Sequence, residues 1–253
     1  MTVNLKEKIA LVTGVSRGLG KVISLKLAES GATVVVNYAN DSESAQQTVD
    51  MIKATGGKAV AVKGDITNEE SVALLIKDAE EQCNETIDIL VNNATGPQPE
   101  LSIEECTWND YLDQLHFFVK APLLLTKAVL PGMKQKRTGR IITIGSEVVQ
   151  LGNPNFSNYV TAKSSQIGMT RSWANELGQH GITVNLVNPG FTPVERHGAV
   201  SEETYQSYTK DVPLRKMGEP IDIANMVSYL AAPEAKFITG QSITVNGGKT
   251  FGI

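Results

Sequence analysis

Short apolar runs alternate along this chain with longer amphipathic stretches. The runs IALVTG (9–14), TVVVNY (33–38), AVAVKG (59–64), IDILVNN (87–93), RIITIGS (140–146), ITVNLVN (182–188) and SITVNGG (242–248) are β-rich and lack strict apolar–polar alternation. That pattern predicts strands covered on both faces. Helices are predicted between them: 18–30 closing at Gly31, 42–55 closing at Gly56-Gly57, and 71–83 behind an N-cap at Asn68. One or two more span 108–137, with Pro122 early in the second. Another covers 155–177, and the last runs from Pro220 to Ala232. Strands alternating with helices in this way predict an α/β fold with a parallel sheet and right-handed crossovers. No linker, repeat or low-complexity tract breaks the alternation, so one domain over 1–253 is the economical organisation. The longest irregular insertion, 189–218, follows the sixth strand and holds a short helix candidate at 201–210. An insertion at the carboxyl edge of such a sheet is where a substrate lid sits.

Composition narrows the function classes. The chain has 253 residues, 41% hydrophobic and 20% charged, the balance of a globular protein with room for a large core. A net charge of -4 gives no electrostatic reason to expect nucleic acid or an anionic membrane as partner. The two cysteines, Cys83 and Cys106, do not make a disulfide framework and suit a reducing compartment. Charges at Lys6, Glu7 and Lys8 interrupt any signal-peptide core, and no apolar run approaches the roughly 20 residues that span a bilayer. A cytoplasmic location is the expectation. His116, His180 and His197 lie far apart without metal-ligand spacing, so no metal is expected.

Two stretches carry chemistry. The first is TGVSRGLG (13–20), placed between a predicted strand and a predicted helix. Gly14 permits a tight turn, while Gly18 and Gly20 allow close backbone approach. The helix N-terminus behind them offers free N–H groups to a pyrophosphate. The spacing is GxxxGxG. At the end of strand two, where an acid would hold the ribose 2′-OH of NAD, the chain reads Asn37-Tyr38-Ala39-Asn40 and has no acid before Asp41. Arg17 in the turn can pair with a 2′-phosphate. These residues point to NADP(H). The alternative is that Asn37 bonds the ribose of NAD and Arg17 is a solvated charge. The second stretch is SNYVTAKSSQIG (157–168), in which Tyr159 and Lys163 share one helix face a turn apart. An ammonium beside a phenol favours the phenolate and makes the phenol a proton donor nearer neutral pH.

Together these residues resemble the short-chain dehydrogenase/reductase family across essentially the whole chain. The TGxxxGxG turn, Asp65 after strand three, Asn92-Asn93-Ala94 after strand four, Ser146 ending strand five, the YxxxK pair, and Pro189-Gly190 with Thr192 follow in order. The resemblance implies a Rossmann-type doubly wound fold, a seven-stranded parallel sheet in the order 3-2-1-4-5-6-7 with helices on both faces. It carries dinucleotide contacts to Gly14, Ser16, Arg17, Gly18, Leu19, Gly20, Asn37, Tyr38, Asp65, Ile66, Asn92, Ala94, Tyr159, Lys163, Pro189, Gly190 and Thr192. Ser146 would hold the substrate oxygen, Tyr159 would be the general acid, and Lys163 would lower the Tyr159 pKa and bind the nicotinamide ribose. Within the family the chain is most similar to the beta-ketoacyl-[acyl carrier protein] reductases. The implied activity is NADPH-dependent reduction of a ketone or ketoacyl thioester, possessed of a carrier such as acyl carrier protein or coenzyme A. Alternatives are an oxidative alcohol or sugar dehydrogenase and a weakly active NADP(H)-binding regulatory protein. The resemblance also implies a homotetramer or homodimer. Two positions depart from the family pattern: Thr95 stands where a glycine is usual, and Phe118 where an asparagine completes a Ser–Tyr–Lys–Asn tetrad. The spacing after Trp108 is stretched, which raises His116 as a substitute near the proton relay.

Overall fold

The computed structural model describes residues 3–16 and 18–252. Seven strands form one sheet in the order β3-β2-β1-β4-β5-β6-β7, the order the family resemblance implies. They are β1 (Ile9–Val12), β2 (Thr33–Tyr38), β3 (Lys58–Lys63), β4 (Ile89–Asn92), β5 (Gly139–Ile144), β6 (Ile182–Pro189) and β7 (Ser242–Val245). Every pairing is parallel; Leu11 lies opposite Val35 on one side and Leu90 on the other.

The absence of strict alternation in the strands follows from what covers them. Ala10 and Val12 of β1 face one cluster, with Ile23 and Leu27 of α1 (Leu19–Glu29), Val49 and Ile52 of α2 (Ser42–Ala54), and Val227 and Leu230 of the last long helix, Pro220–Ala231. Ile9 and Leu11 face the other cluster, with Leu75 and Ile76 of α3 (Glu69–Cys83). Both sides of the strand must therefore be apolar. Asn68 caps α3 as expected, its side chain accepting from the Ser71 N–H. Among the described residues no helix is long and apolar enough to cross a membrane.

The stretch 108–136 is helical throughout but changes pitch in the middle. The α-helix α4 (Trp108–Leu115) passes into a π-helical turn at His116–Lys120 and then into α5 (Ala121–Lys136). A π turn accommodates an additional residue in a helix, which accounts for the stretched spacing. It leaves His116 exposed and buries Phe118 at 2% exposure. His116 is thus turned to solvent, and Phe118 is the residue that enters the interior.

The core gives the first test. Leu11 is fully buried in a central strand. Leu11→Ala is expected to lower unfolding free energy by about 2 to 5 kcal/mol, checked by the shift of the denaturant midpoint at unchanged m-value.

Candidate active site

The glycine turn and the segment after β4 are built as one unit. Gly14 and Gly18 have φ of 68° and 65°. A Cβ on Gly14 would lie 2.6 Å from the Ala94 Cα, and one on Gly20 would lie 2.6 Å from the Asn93 amide nitrogen. The Asn93 side chain donates to the carbonyls of Thr13 and Gly14 at 2.9 and 3.1 Å. The Thr13 hydroxyl oxygen accepts from the N–H groups of Asn93 and Ala94, both at 3.1 Å. Asn93 thus holds the turn in shape, a role the sequence pattern did not separate from its neighbours Asn92 and Ala94. Asn92 is buried with its Oδ1 lacking a partner, and it lines a small cavity with Ile66, Ala94 and Phe118.

The turn accepts an anion. Helix α1 has no side-chain cap and no acid in its first turn. Its N-terminal N–H groups are therefore available to a negative group from elsewhere. One such group is present: Glu195 Oε2 accepts from the Gly18 N–H at 2.9 Å. The contact shows that the Gly18 N–H can hold an anionic oxygen, and Gly14 and Gly20 on either side have no room for side chains against Ala94 and Asn93. Turn and helix end therefore fit the pyrophosphate of a dinucleotide. Ser16 and Leu19 are half-buried beside Gly18. Arg17, with its expected 2′-phosphate contact, lies outside the described residues. Asn37 is buried and its amide donates to the carbonyls of Val62 and Gly64 in the β3 edge, at 3.4 and 3.1 Å, while Tyr38 is half-buried. Asp65 is exposed, its Oδ1 accepting from the Thr67 N–H and hydroxyl.

Across the sheet edge, β5 and α7 (Ser157–Leu177) converge. Tyr159 and Lys163 fall on the buried face of α7 together with Ala162 and Gln166, as the four-residue spacing predicts. They are 8% and 5% exposed. Lys163 Nζ donates to the Ile144 carbonyl at 2.7 Å, at the end of β5. The same ammonium lies 4.0 Å from the centre of the Phe118 ring and 5.7 Å from that of Tyr159. Tyr159 is enclosed by two aromatic rings, Phe156 stacked at 4.7 Å and Phe118 edge-on at 5.3 Å. Ser146, two residues beyond β5, donates its N–H to Asn188 Oδ1 at 3.2 Å. Its hydroxyl oxygen accepts from the Val148 N–H at 3.3 Å, so its own proton stays available.

Phe118 brings a further partner that the sequence did not single out. Its main-chain carbonyl accepts from the Gln166 amide at 3.2 Å. Gln166 lies one turn beyond Lys163 on the same face, and that periodicity is the signal that could have found it. Thr95 is exposed; its hydroxyl donates to the Gly96 carbonyl and accepts from Gln98. On the far side of the site, Gly190 donates to the Val245 carbonyl at 3.0 Å, following Pro189 at the end of β6. Thr192 is buried with its hydroxyl on the Gly190 carbonyl at 3.1 Å.

The family profile described as Enoyl-(Acyl carrier protein) reductase matches residues 14–250. The chain belongs to the short-chain dehydrogenase/reductase family. It is an oxidoreductase of a family that uses nicotinamide cofactors. A 3-oxoacyl-[acyl-carrier-protein] reductase of Staphylococcus epidermidis is 41% identical over 96% of this chain and 98% of its own length. The corresponding protein of Vibrio cholerae is 40% identical over 97% and 98%. Among solved structures, a 7 alpha-hydroxysteroid dehydrogenase complexed with NADH and 7-oxo glycochenodeoxycholic acid superposes with a TM-score of 0.92 at 33% identity. The match covers 98% of this chain and 96% of that one. The reductase LugOII, described as catalysing a keto-reduction in lugdunomycin biosynthesis, superposes with a TM-score of 0.88 at 33% identity, over 98% and 100%.

The contact between Glu195 and Gly18 predicts a direction. A phosphate oxygen and the carboxylate compete for one N–H. Glu195→Gln is expected to tighten dinucleotide binding by about three- to tenfold, read from the fluorescence of bound reduced nicotinamide in the absence of substrate. Unchanged or weaker binding would count against the competition.

Proposed function

We propose that this chain reduces a ketone to an alcohol with NADPH, and that its substrate is a β-ketoacyl thioester or a related carbonyl carried on acyl carrier protein or coenzyme A. The observation that carries the reading is the buried Tyr159–Lys163 pair, whose lysine is bonded to the Ile144 carbonyl two residues before Ser146, in a family of oxidoreductases. The likeness to 3-oxoacyl-[acyl-carrier-protein] reductases over nearly the full chain supports the substrate class. The lack of an acid at the end of β2 before Asp41 supports NADPH over NADH.

The chemistry follows from the positions of the groups. A dinucleotide held at the glycine turn would supply the hydride, and the residues of the chain handle the proton. The Ser146 hydroxyl, already an acceptor for the Val148 N–H, directs its proton to the substrate oxygen and stabilises the charge that develops there. Tyr159 gives its phenolic proton to the same oxygen. The Lys163 ammonium favours the phenolate that remains. Phe156 and Phe118 screen the phenol from bulk water, which strengthens that electrostatic effect.

One observation favours a second reading, a slow NADP(H)-binding regulatory protein. The Phe118 side chain neither donates nor accepts, and its carbonyl is already engaged by Gln166. In the family that this chain resembles, the main-chain carbonyl at this position holds a water of the proton relay, and here the Gln166 amide takes one of its two lone pairs. Refilling of Tyr159 with a proton is the step this would slow.

The two readings part in one assay. NADPH oxidation is measured with acetoacetyl thioesters, simple ketones and sugars, with NADH in parallel. Turnover of the thioester is expected, and Tyr159→Phe is expected to lose at least about a hundredfold in kcat while still binding dinucleotide. Dinucleotide binding without reduction of any carbonyl would support the regulatory reading. A preference for NAD with alcohol or sugar oxidation would move the chain to the oxidative class.

A further inference from the structure

Glu147 carries a buried carboxylate that the mechanism above leaves unused. It is 4% exposed and directly follows Ser146. Oε1 accepts from the Tyr208 hydroxyl at 2.6 Å and from the Phe191 N–H at 3.2 Å. Oε2 accepts from the Asn246 amide at 3.0 Å. The Glu147 N–H donates to the Pro189 carbonyl at 3.0 Å. Among the described residues no ion pair reaches the carboxylate. One residue therefore gathers the turn after β5, the loop after β6, the insertion and the turn after β7. A buried carboxylate is stable only where such donors meet its lone pairs, so the four pieces are mutually fixed.

Buried Val212 and Met217 and the Leu214 N–H on the Gly247 carbonyl anchor the part of the insertion after its helix, while Glu147 and the Lys249 ammonium, on the Tyr208 carbonyl at 3.3 Å, hold the helix itself. Its helix, α8 (Glu202–Thr209), follows the short helix α6 (Val148–Leu151) and α7 in chain order and has Thr209 as its buried residue. A helix of this length is marginal by itself, and its apolar burial is slight. Tyr208 is the exception. Its phenol donates to Glu147 and accepts from the Phe191 N–H at 2.8 Å. Its ring lies edge-on to Phe191 at 5.7 Å, and Lys249 Nζ sits 4.2 Å above it. Burial and the neighbouring carboxylate both raise the Tyr208 phenol above its ordinary value, which keeps it a donor. A hydrogen bond from a phenol to a carboxylate is among the stronger side-chain contacts.

We propose that Glu147 is a positioning residue. Through Tyr208 it seats α8 against the Ser146 edge of the site, and so sets the affinity for the carbonyl substrate without touching it. The proposal rests on the reading of Ser146 as the group that holds the substrate oxygen.

The test uses Tyr208→Phe, Glu147→Gln and the double variant of the full chain. Steady-state kinetics are read together with dinucleotide binding and hydrogen exchange of the α8 amides in the free protein. Each single variant is expected to raise KM for the carbonyl about tenfold, change kcat less than about threefold, and leave dinucleotide affinity unchanged. The α8 amides are expected to exchange about tenfold faster, and the double variant to be no worse than the more affected single one. Unchanged exchange in Tyr208→Phe, additive effects in the double variant, or a fall in kcat at unchanged KM would each overturn the proposal. Should Glu147→Gln fail to fold, Tyr208→Phe removes the same bond and keeps the ring. If the unmodified chain reduces no carbonyl, the exchange measurement still decides. Faster α8 exchange in Tyr208→Phe then supports the seat of α8 and places the failure in the functional reading.

Discussion

The bond from Lys163 Nζ to the carbonyl of Ile144 joins the helix that carries the tyrosine to the strand that leads to the serine. A buried ammonium is tolerated only when its protons are met. Here one meets a main-chain oxygen at the end of β5, which a side-chain substitution cannot remove. The Phe118 ring covers the same ammonium from another side. The helix face of α7 is therefore set against the sheet by a contact between a charge and the backbone. Tyr159 inherits its position from that contact, because it lies one turn earlier on the same face. The placement of Tyr159 and Lys163 against the end of β5 thus belongs to the fold itself.

Phe118 shows how a departure at one position changes its surroundings. An apolar ring in this place needs burial, and the π turn at His116–Lys120 delivers it inward while His116 faces out. Once inside, the ring meets three partners of different kinds. It covers the ammonium, packs its edge relation on Tyr159, and leaves its main-chain oxygen to Gln166. The first two contacts replace hydrogen bonding with cation–π and quadrupole interactions, which are weaker in direction but exclude water. The site is drier than one with a polar side chain there. A low-dielectric surrounding strengthens electrostatic contacts such as that between the Lys163 ammonium and the rings beside it.

The strands and helices were legible because each has a short-range cause. Apolar runs without alternation report a sheet covered on both sides, and the apolar clusters on the two faces of β1 are the physical counterpart of that pattern. Asn68 as a cap and Pro220 as a helix opener are equally local. The Tyr159–Lys163 face follows from helix periodicity alone. What escaped was set by partners far apart in the chain. Asn188 is an ordinary strand residue until its side chain meets the Ser146 N–H. Glu195 carries no sign in the sequence that it reaches the Gly18 N–H, and nothing local to Asn37 shows that its amide donates to the carbonyls of Val62 and Gly64. Polar residues near strand ends have several possible partners, and sequence does not rank them.

The insertion after β6 has the opposite construction from the sheet. The sheet is held by apolar burial on two faces, which is non-directional and tolerant of small shifts. Besides the buried Val212 and Met217, the insertion has two carboxylate contacts, Glu195 on the Gly18 N–H and Glu147 on the Tyr208 phenol. These are directional contacts, and they differ in what can displace them. The Gly18 N–H stands where an anionic ligand group fits, so its bond to Glu195 is open to exchange. The Glu147 carboxylate is enclosed by three donors from the protein itself, so its bond to Tyr208 has no ligand competitor. The first contact is therefore open to displacement by an anionic group, and the second belongs to the frame formed by β5, β6 and β7. A segment divided in this way can adjust on the cofactor side while keeping its register on the substrate side. The insertion therefore joins one end that an anionic group can release to another that is fixed by donors of the protein itself.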